Sequence, residues 1–538
     1  MTPAPALAEM DGPTALREAV RRVETGEASR AEVLLALVED HLDQVLHAQF
    51  SGGGASPIAT GIGASPGAGV GRAYFSADAC VEAVDRGELV VLVRQETTPD
   101  DIHGMQVAEA VLTSRGGLAS HAAVVARGWG IPAVVGAEAL VVGDDHLRVG
   151  DLVVKAGEVV SLDGATGEVW LGERTVAEAT DVPELDVVLA WADDVRGDRM
   201  AIRANADTAA DAAQARRLGA QGIGLCRTEH MFLAEERLPV VRRMILAGTP
   251  EAEAAALDEL HAAQRADFES ILTEMAGLPV TVRLLDPPLH EFLPSVEELR
   301  VKGASDGLTA EEQELLRAAE TWREHNPMLG VRGVRLGVLK PGLYAMQVRA
   351  LLDAAATVGS ATVEVMIPLT VSRAELATAR GWVATAVAAA AADGRALEVA
   401  IGTMIETPRA ALLAGELAHE ADFFSFGTND LTQLTFGFSR DDVEARLVPA
   451  YLEQGLLAGN PFESLDVDGV GELVALAAER GRATRPGIKL GVCGEHGGDP
   501  ASIRTFVGLG LDYVSCSPYR VPMARLAVAQ ALLAASAG

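Results

Sequence analysis

A histidine stands just behind a glycine pair in the segment TSRGGLASHAAVVARGWGIPAVVG, residues 113–136. Gly116-Gly117 lets the backbone turn tightly. Leu118 to Arg127 then reads as a helix, ended by Gly128 and Gly130 before a strand over PAVVG. His121 therefore falls in a first helical turn, where unpaired backbone N–H groups and the positive dipole end favour a bound phosphate. Imidazole is largely unprotonated near neutral pH and is a competent nucleophile toward phosphorus. A lone histidine is most often an ordinary helix residue; the surrounding pattern is what singles out His121. The other glycine-rich run, GIGASPGAGVG (61–71), lacks the Gly-Lys-Ser/Thr ending and the following long helix of a nucleotide loop, and reads as a turn.

A second set of reactive types falls at the ends of candidate strands: Arg227 and Glu229, Arg283 and Asp286, Glu406, Asn429 and Asp430, then Cys493, Glu495 and His496. Arg227, Arg283 and Arg332 are bidentate donors suited to the phosphate and carboxylate of a small anion. Glu406 and Asp430 are hard oxygen ligands suited to Mg²⁺. Cys493, beside the loop Gly494-Glu495-His496-Gly497-Gly498, is placed to deliver a proton to carbon. Taken singly, Glu229, Asp286 and His496 read as surface ion-pair groups, and Cys80, Cys226 and Cys516 as small buried residues. Together the strand-end groups make a site.

Eight strand candidates position this second set: AIRANAD (201–207), GIGLCRTE (222–229), VTVRLLD (280–286), VEVMIPL (363–369), EVAIGTMIE (398–406), FFSFGTND (423–430), KLGVCGEH (489–496) and YVSCSP (513–518). Ala-rich helical stretches separate them, with one longer insertion after the third. This alternation predicts a (β/α)₈ TIM barrel over 200–538, with chemistry at the C-terminal strand ends. A doubly wound open sheet is the alternative, disfavoured by the count of eight. Upstream, residues 57–172 alternate short β-type runs (ELVVLV, AVVG, DLVVKAG, VVSL, EVWL) with Gly-rich turns, predicting a compact α/β unit around His121. Residues 173–199 read as a linker with some helix. Residues 1–56 form an N-terminal helical segment, in which 13–50 read as two amphipathic helices. The second opens on the capping box Ser29-Arg-Ala-Glu32 and runs through Leu42.

The 538 residues carry a net charge of −32, which opposes nucleic acid and anionic membrane surfaces, so an anionic substrate must be met by a local arginine cluster. Four cysteines in no metal-type spacing suggest a reducing compartment. The N-terminus has no signal-peptide pattern, and no apolar run reaches the roughly 18–20 residues that span a bilayer. A cytoplasmic location is expected. Aromatics make up only 4%, so Ala, Val, Leu and Ile must fill the cores.

The run Gly-Gly-Leu-Ala-Ser-His-Ala-Ala-Val-Val-Ala-Arg, followed by Gly-Ile-Pro-Ala-Val-Val-Gly, resembles the phosphohistidine motif of the phosphoenolpyruvate-utilising enzymes. GLCRTEHMFL, VRLLDPPLHEFLP, NPMLGVRG, GTMIETPRAAL, FFSFGTNDLTQLTFGFSRDD, CGEHGGDP, RQETTPDDIHGM and YVSCSPYRVPMARLAVAQA are similar to the pyruvate, phosphate dikinase branch of that family. The resemblance implies that His121 is phosphorylated on a swivelling domain that travels between two sites. It also implies that Arg227, Arg283, Glu406, Gly427, Thr428, Asn429, Asp430 and Cys493 match substrate, metal and proton-donor positions, and that the barrel mediates a homodimer.

Three departures qualify the resemblance. Dikinases carry an N-terminal ATP-grasp domain, and no segment of this chain stands for it, so the ATP half-reaction is expected to need a separate ATP-grasp protein. Ala119 replaces the regulatory threonine common two residues before the histidine. Gly130-Ile131-Pro132 resembles the synthase and enzyme I version of the motif. Three readings follow: a dikinase-type half enzyme interconverting phosphoenolpyruvate and pyruvate; an enzyme I-like phosphotransferase serving a small carrier protein; and a non-catalytic regulatory or binding module. The first is favoured. The helices at 13–50 precede the swivelling domain instead of interrupting it, which counts against the second, and retention of every motif residue counts against the third.

Overall fold

The computed structural model describes residues 6–537 apart from 51–55, 98–100, 118, 119, 121, 124, 127–129, 178–181, 235, 306, 361, 396 and 445. Eight parallel strands close into a barrel in sequence order: β1 (Ala201–Asn205), β2 (Ile223–Cys226), β3 (Pro279–Arg283), β4 (Thr362–Ile367), β5 (Val399–Ile405), β6 (Phe423–Phe426), β7 (Lys489–Val492) and β8 (Tyr513–Cys516). All eight expected strands are present, and β8 pairs with β1 from Ala201–Tyr513 to Ala204–Cys516 to close the ring. The strands are apolar because both faces are covered: one by the barrel interior, the other by the surrounding helices. The long insertion between β3 and β4 contains the helices Val296–Ser305, Ala310–Trp322, Val334–Leu339 and Pro341–Val358.

The barrel interior is filled in two ways. Leu225, Met366, Met404, Phe423 and Cys493 form an apolar cluster of their own, apart from the core between strands and helices. An ionic plug joins four strands, β1, β3, β4 and β7: Arg203 Nη1 donates to Glu364 Oε2 (2.8 Å), Thr281 Oγ1 donates to the same oxygen (2.7 Å), and Lys489 pairs with Oε1. The Arg203 guanidinium also lies 4.4 Å from the centre of the Tyr513 ring. Burial favours the neutral carboxyl of Glu364, but the charges of Arg203 and Lys489 outweigh it and hold the pKa at about 2.

Ahead of the barrel lies an eight-stranded mixed sheet. Its spatial order is Ala59–Thr60, Glu168–Leu171, Val159–Asp163, Ala68–Tyr74, Val90–Arg94, Ala110–Thr113, Ala133–Val135 and Ile62–Ser65. The glycine-rich run at 61–71, expected as a turn, instead supplies two of these strands around a tight bend at Ser65-Pro66-Gly67. Its glycines are demanded by packing: a Cβ at Gly69 would stand 2.3 Å from the Ala110 Cβ, and one at Gly63 would stand 2.5 Å from the Ala165 carbonyl oxygen. A separate two-stranded ladder pairs Gln49 with Ala177 and Phe50 with Val176, bringing the chain entering this unit beside the chain leaving it. The Arg174 guanidinium packs there 4.1 Å from the Trp170 ring centre and 5.3 Å from that of Phe50.

Among its described residues the N-terminal segment holds three α-helices where two were expected: Gly12–Glu24, Arg30–Ala36 and Glu39–Leu46. The Ser29/Glu32 capping box forms as anticipated. The second helix stops because Leu37 is extended (φ −73°, ψ 144°). Gln530 Nε2 satisfies the backbone there by donating to Leu34 O (2.8 Å) and Leu37 O (2.9 Å), while Val38 N–H donates to His41 Nδ1 (3.2 Å). Within 173–199, the helix Pro183–Arg196 buries Val188, Leu189, Trp191 and Ala192. They join the N-terminal helices and Met523, Leu526 and Ala529 of the last helix in one core.

Candidate active site

The C-terminal ends of β2 and β3 carry a lattice of arginines and carboxylates. Arg283, the last residue of β3, pairs with Glu229 and sits 3.1 Å from Asp286. Asp286 also takes Arg332 Nε at 3.1 Å, and Arg332 reaches on to Asp430 at 3.2 Å. Burial opposes the charge on Arg283 and Arg332, but the neighbouring carboxylates outweigh it and raise both pKa values. Asp286 is 2% exposed, so it is a buried bridge between two arginines and not the surface ion-pair group that it resembles in isolation. Arg227 is freer: its backbone N–H donates to Asp207 (2.6 Å), while its guanidinium is only 3.5 Å from that carboxylate and 30% exposed. A cavity of about 260 Å³ opens beside this lattice, lined by Glu229, Asp286, Glu291, Met328 and Arg332 among others.

Glu406 follows β5 directly and is fully buried. Its Oε1 accepts the N–H of Leu369 (2.6 Å), the one non-glycine among the described residues with positive φ (60°). Its Oε2 is buried without a hydrogen-bond partner. Burial, reinforced by the charges of Asp430 and Asp286, pushes its pKa up to about 8. An orphaned carboxylate oxygen repelled by a second carboxylate is a donor set that suits a divalent cation with oxygen preference. Gly427 is the residue that leaves room for it: a Cβ there would stand 2.7 Å from Glu406 Oε2 and 2.8 Å from its Cβ.

Thr428, Asn429 and Asp430 open the helix Thr428–Phe436 after β6. The Asn429 side-chain oxygen accepts the N–H of Glu495 (3.0 Å). His496 is fully buried, and its Nε2 lies 3.0 Å from the Pro461 carbonyl. That carbonyl can only accept, so Nε2 carries the proton and Nδ1 accepts the Thr428 hydroxyl at 2.8 Å. Burial lowers the His496 pKa. The surface ion-pair reading of His496 is therefore replaced by a buried neutral ring that orients Thr428. Arg440 links the next shell, with Nη1 and Nη2 on Glu495 (3.2 and 3.1 Å) and Nε on Glu444 (3.2 Å).

Cys493 follows β7, buried among Leu225, Met366, Met404 and Phe423. Burial pushes its thiol up to about 11, so it is protonated at neutral pH. Asn205, at the end of β1, fixes its backbone by donating to Cys493 O (3.1 Å), and Ser515 in turn donates to Asn205 Oδ1 (2.7 Å). Sequence reasoning missed Asn205, although its place at a strand end is the signal that marked the others. Cys80, Cys226 and Cys516 are buried, as expected.

His121 and its neighbours Leu118 and Ala119 lie outside the described residues, as does part of the helix expected over 118–127. Ala122, Ala123 and Ala126 pack on the mixed sheet against Val111, Ala133 and Val135. On either side of this stretch the chain touches the barrel mouth. Gly117 faces Glu444, and Gly130 faces the ring of Tyr519, three residues beyond the end of β8.

A closed parallel barrel with this strand-end site, preceded by a mixed-sheet unit, matches two family models: "PEP-utilising enzyme, PEP-binding domain" over residues 181–533 and "PEP-utilising enzyme, mobile domain" over residues 87–167. The chain belongs to the phosphoenolpyruvate-utilising enzyme family. Among individual proteins it is 49% identical over 534 residues to pyruvate, phosphate dikinase 1, chloroplastic, of Arabidopsis thaliana, covering 97% of this chain and 55% of that one. It is 49% identical to pyruvate, phosphate dikinase 2 of Zea mays (97% and 60%) and 48% identical to pyruvate, phosphate dikinase of Rhizobium meliloti (97% and 58%). The chain thus spans a little over half the length of the curated relatives it matches.

Proposed function

We propose that these residues catalyse the phosphoenolpyruvate/pyruvate half-reaction of a dikinase-type phosphotransferase, with His121 as phosphoryl carrier. The observation that carries this reading is the convergence on one barrel mouth of Arg227, Arg283, Arg332, Glu406, Asp430 and Cys493, with the chain on both sides of His121 resting on that mouth. Arg283 and Arg332 are held rigid by buried carboxylates, so they meet a trianionic substrate already oriented. Arg227, less tightly paired, closes onto the phosphate. Gly427, Thr428 and Asn429 shape the wall beside them.

Glu406 and Asp430 are the oxygen donors that would hold Mg²⁺, which when bound supplies positive charge to the enolate and phosphoryl oxygens. In the forward step the bridging P–O bond of phosphoenolpyruvate breaks as a P–N bond forms to the His121 imidazole, leaving the enolate of pyruvate. The Cys493 thiol then delivers its proton to the methylene carbon, giving pyruvate and a thiolate that regains its proton from solvent. Exchange of the phosphohistidine with ATP and phosphate falls to an ATP-grasp unit outside these 538 residues.

The test is direct. The purified chain with Mg²⁺ and phosphate-labelled phosphoenolpyruvate should acquire an acid-labile phosphohistidine that is absent in His121→Ala. Absence of label on the unaltered chain ends this reading. With ATP in place of phosphoenolpyruvate, label should appear only when a separately produced ATP-grasp protein is added.

A further inference from the structure

We propose that Tyr519 is a positioning residue, a seat that registers the His121 segment over the barrel mouth. Two glycines bracket that segment, and each is pressed against a loop of the barrel. A Cβ on Gly130 would stand 2.3 Å from the Tyr519 ring carbon that bears the hydroxyl and 2.4 and 2.8 Å from the two carbons beside it. Gly130 also has φ +67°, so both its backbone and its missing side chain admit the ring. At the other end, a Cβ on Gly117 would stand 3.1 Å from Glu444 Cγ.

Neither contact is with a loose side chain. Tyr519 lies in the short turn Pro518–Arg520 that follows β8, and its ring centre is 6.0 Å from that of His47 on the N-terminal side. The same cleft brings together Ser65 and Pro66 of the mixed sheet and Arg520 of the barrel, so three parts of the chain meet at this ring. Glu444 is held by Arg440 Nε (3.2 Å) and Asn460 Nδ2 (3.4 Å), and Arg440 in turn grips Glu495 beside Cys493. The two seats therefore belong to the loops after β6 and β8, two of those that frame the candidate site.

An imidazole must approach phosphorus to within about 3–3.5 Å for in-line transfer, and a displacement of an ångström costs on the order of a hundredfold. A flat ring in contact with a bare Cα has no side-chain freedom on one side of the junction. It sets the approach of the segment without touching substrate. This inference rests on the reading that His121 takes the phosphoryl group.

The experiment compares the full chain with Tyr519→Phe, Tyr519→Leu and Tyr519→Ala in Mg²⁺. Two quantities are measured: the single-turnover rate of His121 labelling from phosphoenolpyruvate, and phosphoenolpyruvate affinity by calorimetry. Tyr519→Phe, which keeps the ring, should label within twofold of the unaltered chain. Tyr519→Leu should be slower and Tyr519→Ala at least tenfold slower, with affinity within twofold throughout. A Tyr519→Ala labelling rate within twofold of the unaltered chain overturns the seat. So does a parallel loss of affinity, which would place the damage in the barrel.

The seat is also read without chemistry, from the spin-label distance distribution between Val153→Cys on the sheet unit and Leu412→Cys on the barrel. The distribution should broaden in Tyr519→Ala, and an unchanged distribution overturns the proposal. If the unaltered chain takes no label yet Tyr519→Ala broadens this distance, the phosphohistidine reading fails and the seat stands.

Discussion

Cys493 spends its time as a neutral thiol because apolar neighbours surround it, and that is the state a proton donor to carbon requires. Burial raises its pKa from the ordinary 9.0 to about 11, so the thiol remains protonated as pH rises through 9. Proton exchange at the pyruvate methyl, followed by NMR in heavy water, should show no loss attributable to thiol ionisation up to that pH. Cys493→Ala should abolish this exchange while phosphoryl transfer between phosphoenolpyruvate and His121 persists. Unchanged methyl exchange in the variant would remove Cys493 from the chemistry. Most residues that touch substrate in this scheme were legible because they are chemically distinctive types at strand ends; Arg332, in the insertion after β3, is the exception. Those that support them were not: Asn205 and His496 act through hydrogen bonds across strands and loops far apart in the chain, and one sequence carries no sign of such contacts.

At the scale of elements, the turn after β4 and the start of the helix after β6 are built around one carboxylate, Glu406 at the end of β5. Leu369 holds a positive φ to point its N–H at Glu406, and Gly427 surrenders a side chain to admit the other oxygen. Gly427→Ala should force Glu406 aside: its φ of −83° suits alanine, so the clash and not the backbone is responsible. We expect a loss of about 1–3 kcal/mol in stability from overpacking. A weakened Mg²⁺ affinity, seen as at least a tenfold higher Mg²⁺ concentration for half-maximal labelling of His121, should accompany it. Activity at the unaltered Mg²⁺ requirement would show that Glu406 is free to move. The eight barrel strands were legible as runs of apolar β-formers. The glycine-rich strands at 61–71 were not, because glycine chosen for close packing between chains is indistinguishable, in sequence, from glycine chosen for a bend.

Across the whole molecule, the barrel is pinned through its centre by the Arg203, Glu364 and Lys489 plug, which joins β1, β4 and β7. Glu364 has its pKa held down from 4.5 to about 2, so the stabilisation is complete above pH 4.5 and is lost as pH falls toward 2. A shift of that size corresponds to roughly 3 kcal/mol. Glu364→Gln leaves the buried Arg203 and the half-buried Lys489 without a counter-charge and should cost about 3–5 kcal/mol at neutral pH. Its urea midpoint should also vary less than that of the unaltered chain between pH 4.5 and 2. Equal acid sensitivity in the two proteins would show that Glu364 does not bear that titration.

The ladder that joins Gln49–Phe50 to Val176–Ala177 has a consequence for travel. A body tied by a single cord can wander over a sphere, whereas one tied by two cords stitched side by side turns mainly about the line of the stitching. The unit between those strands would then trade breadth of search for a repeatable arc. Each return would deliver its cargo along nearly the same heading.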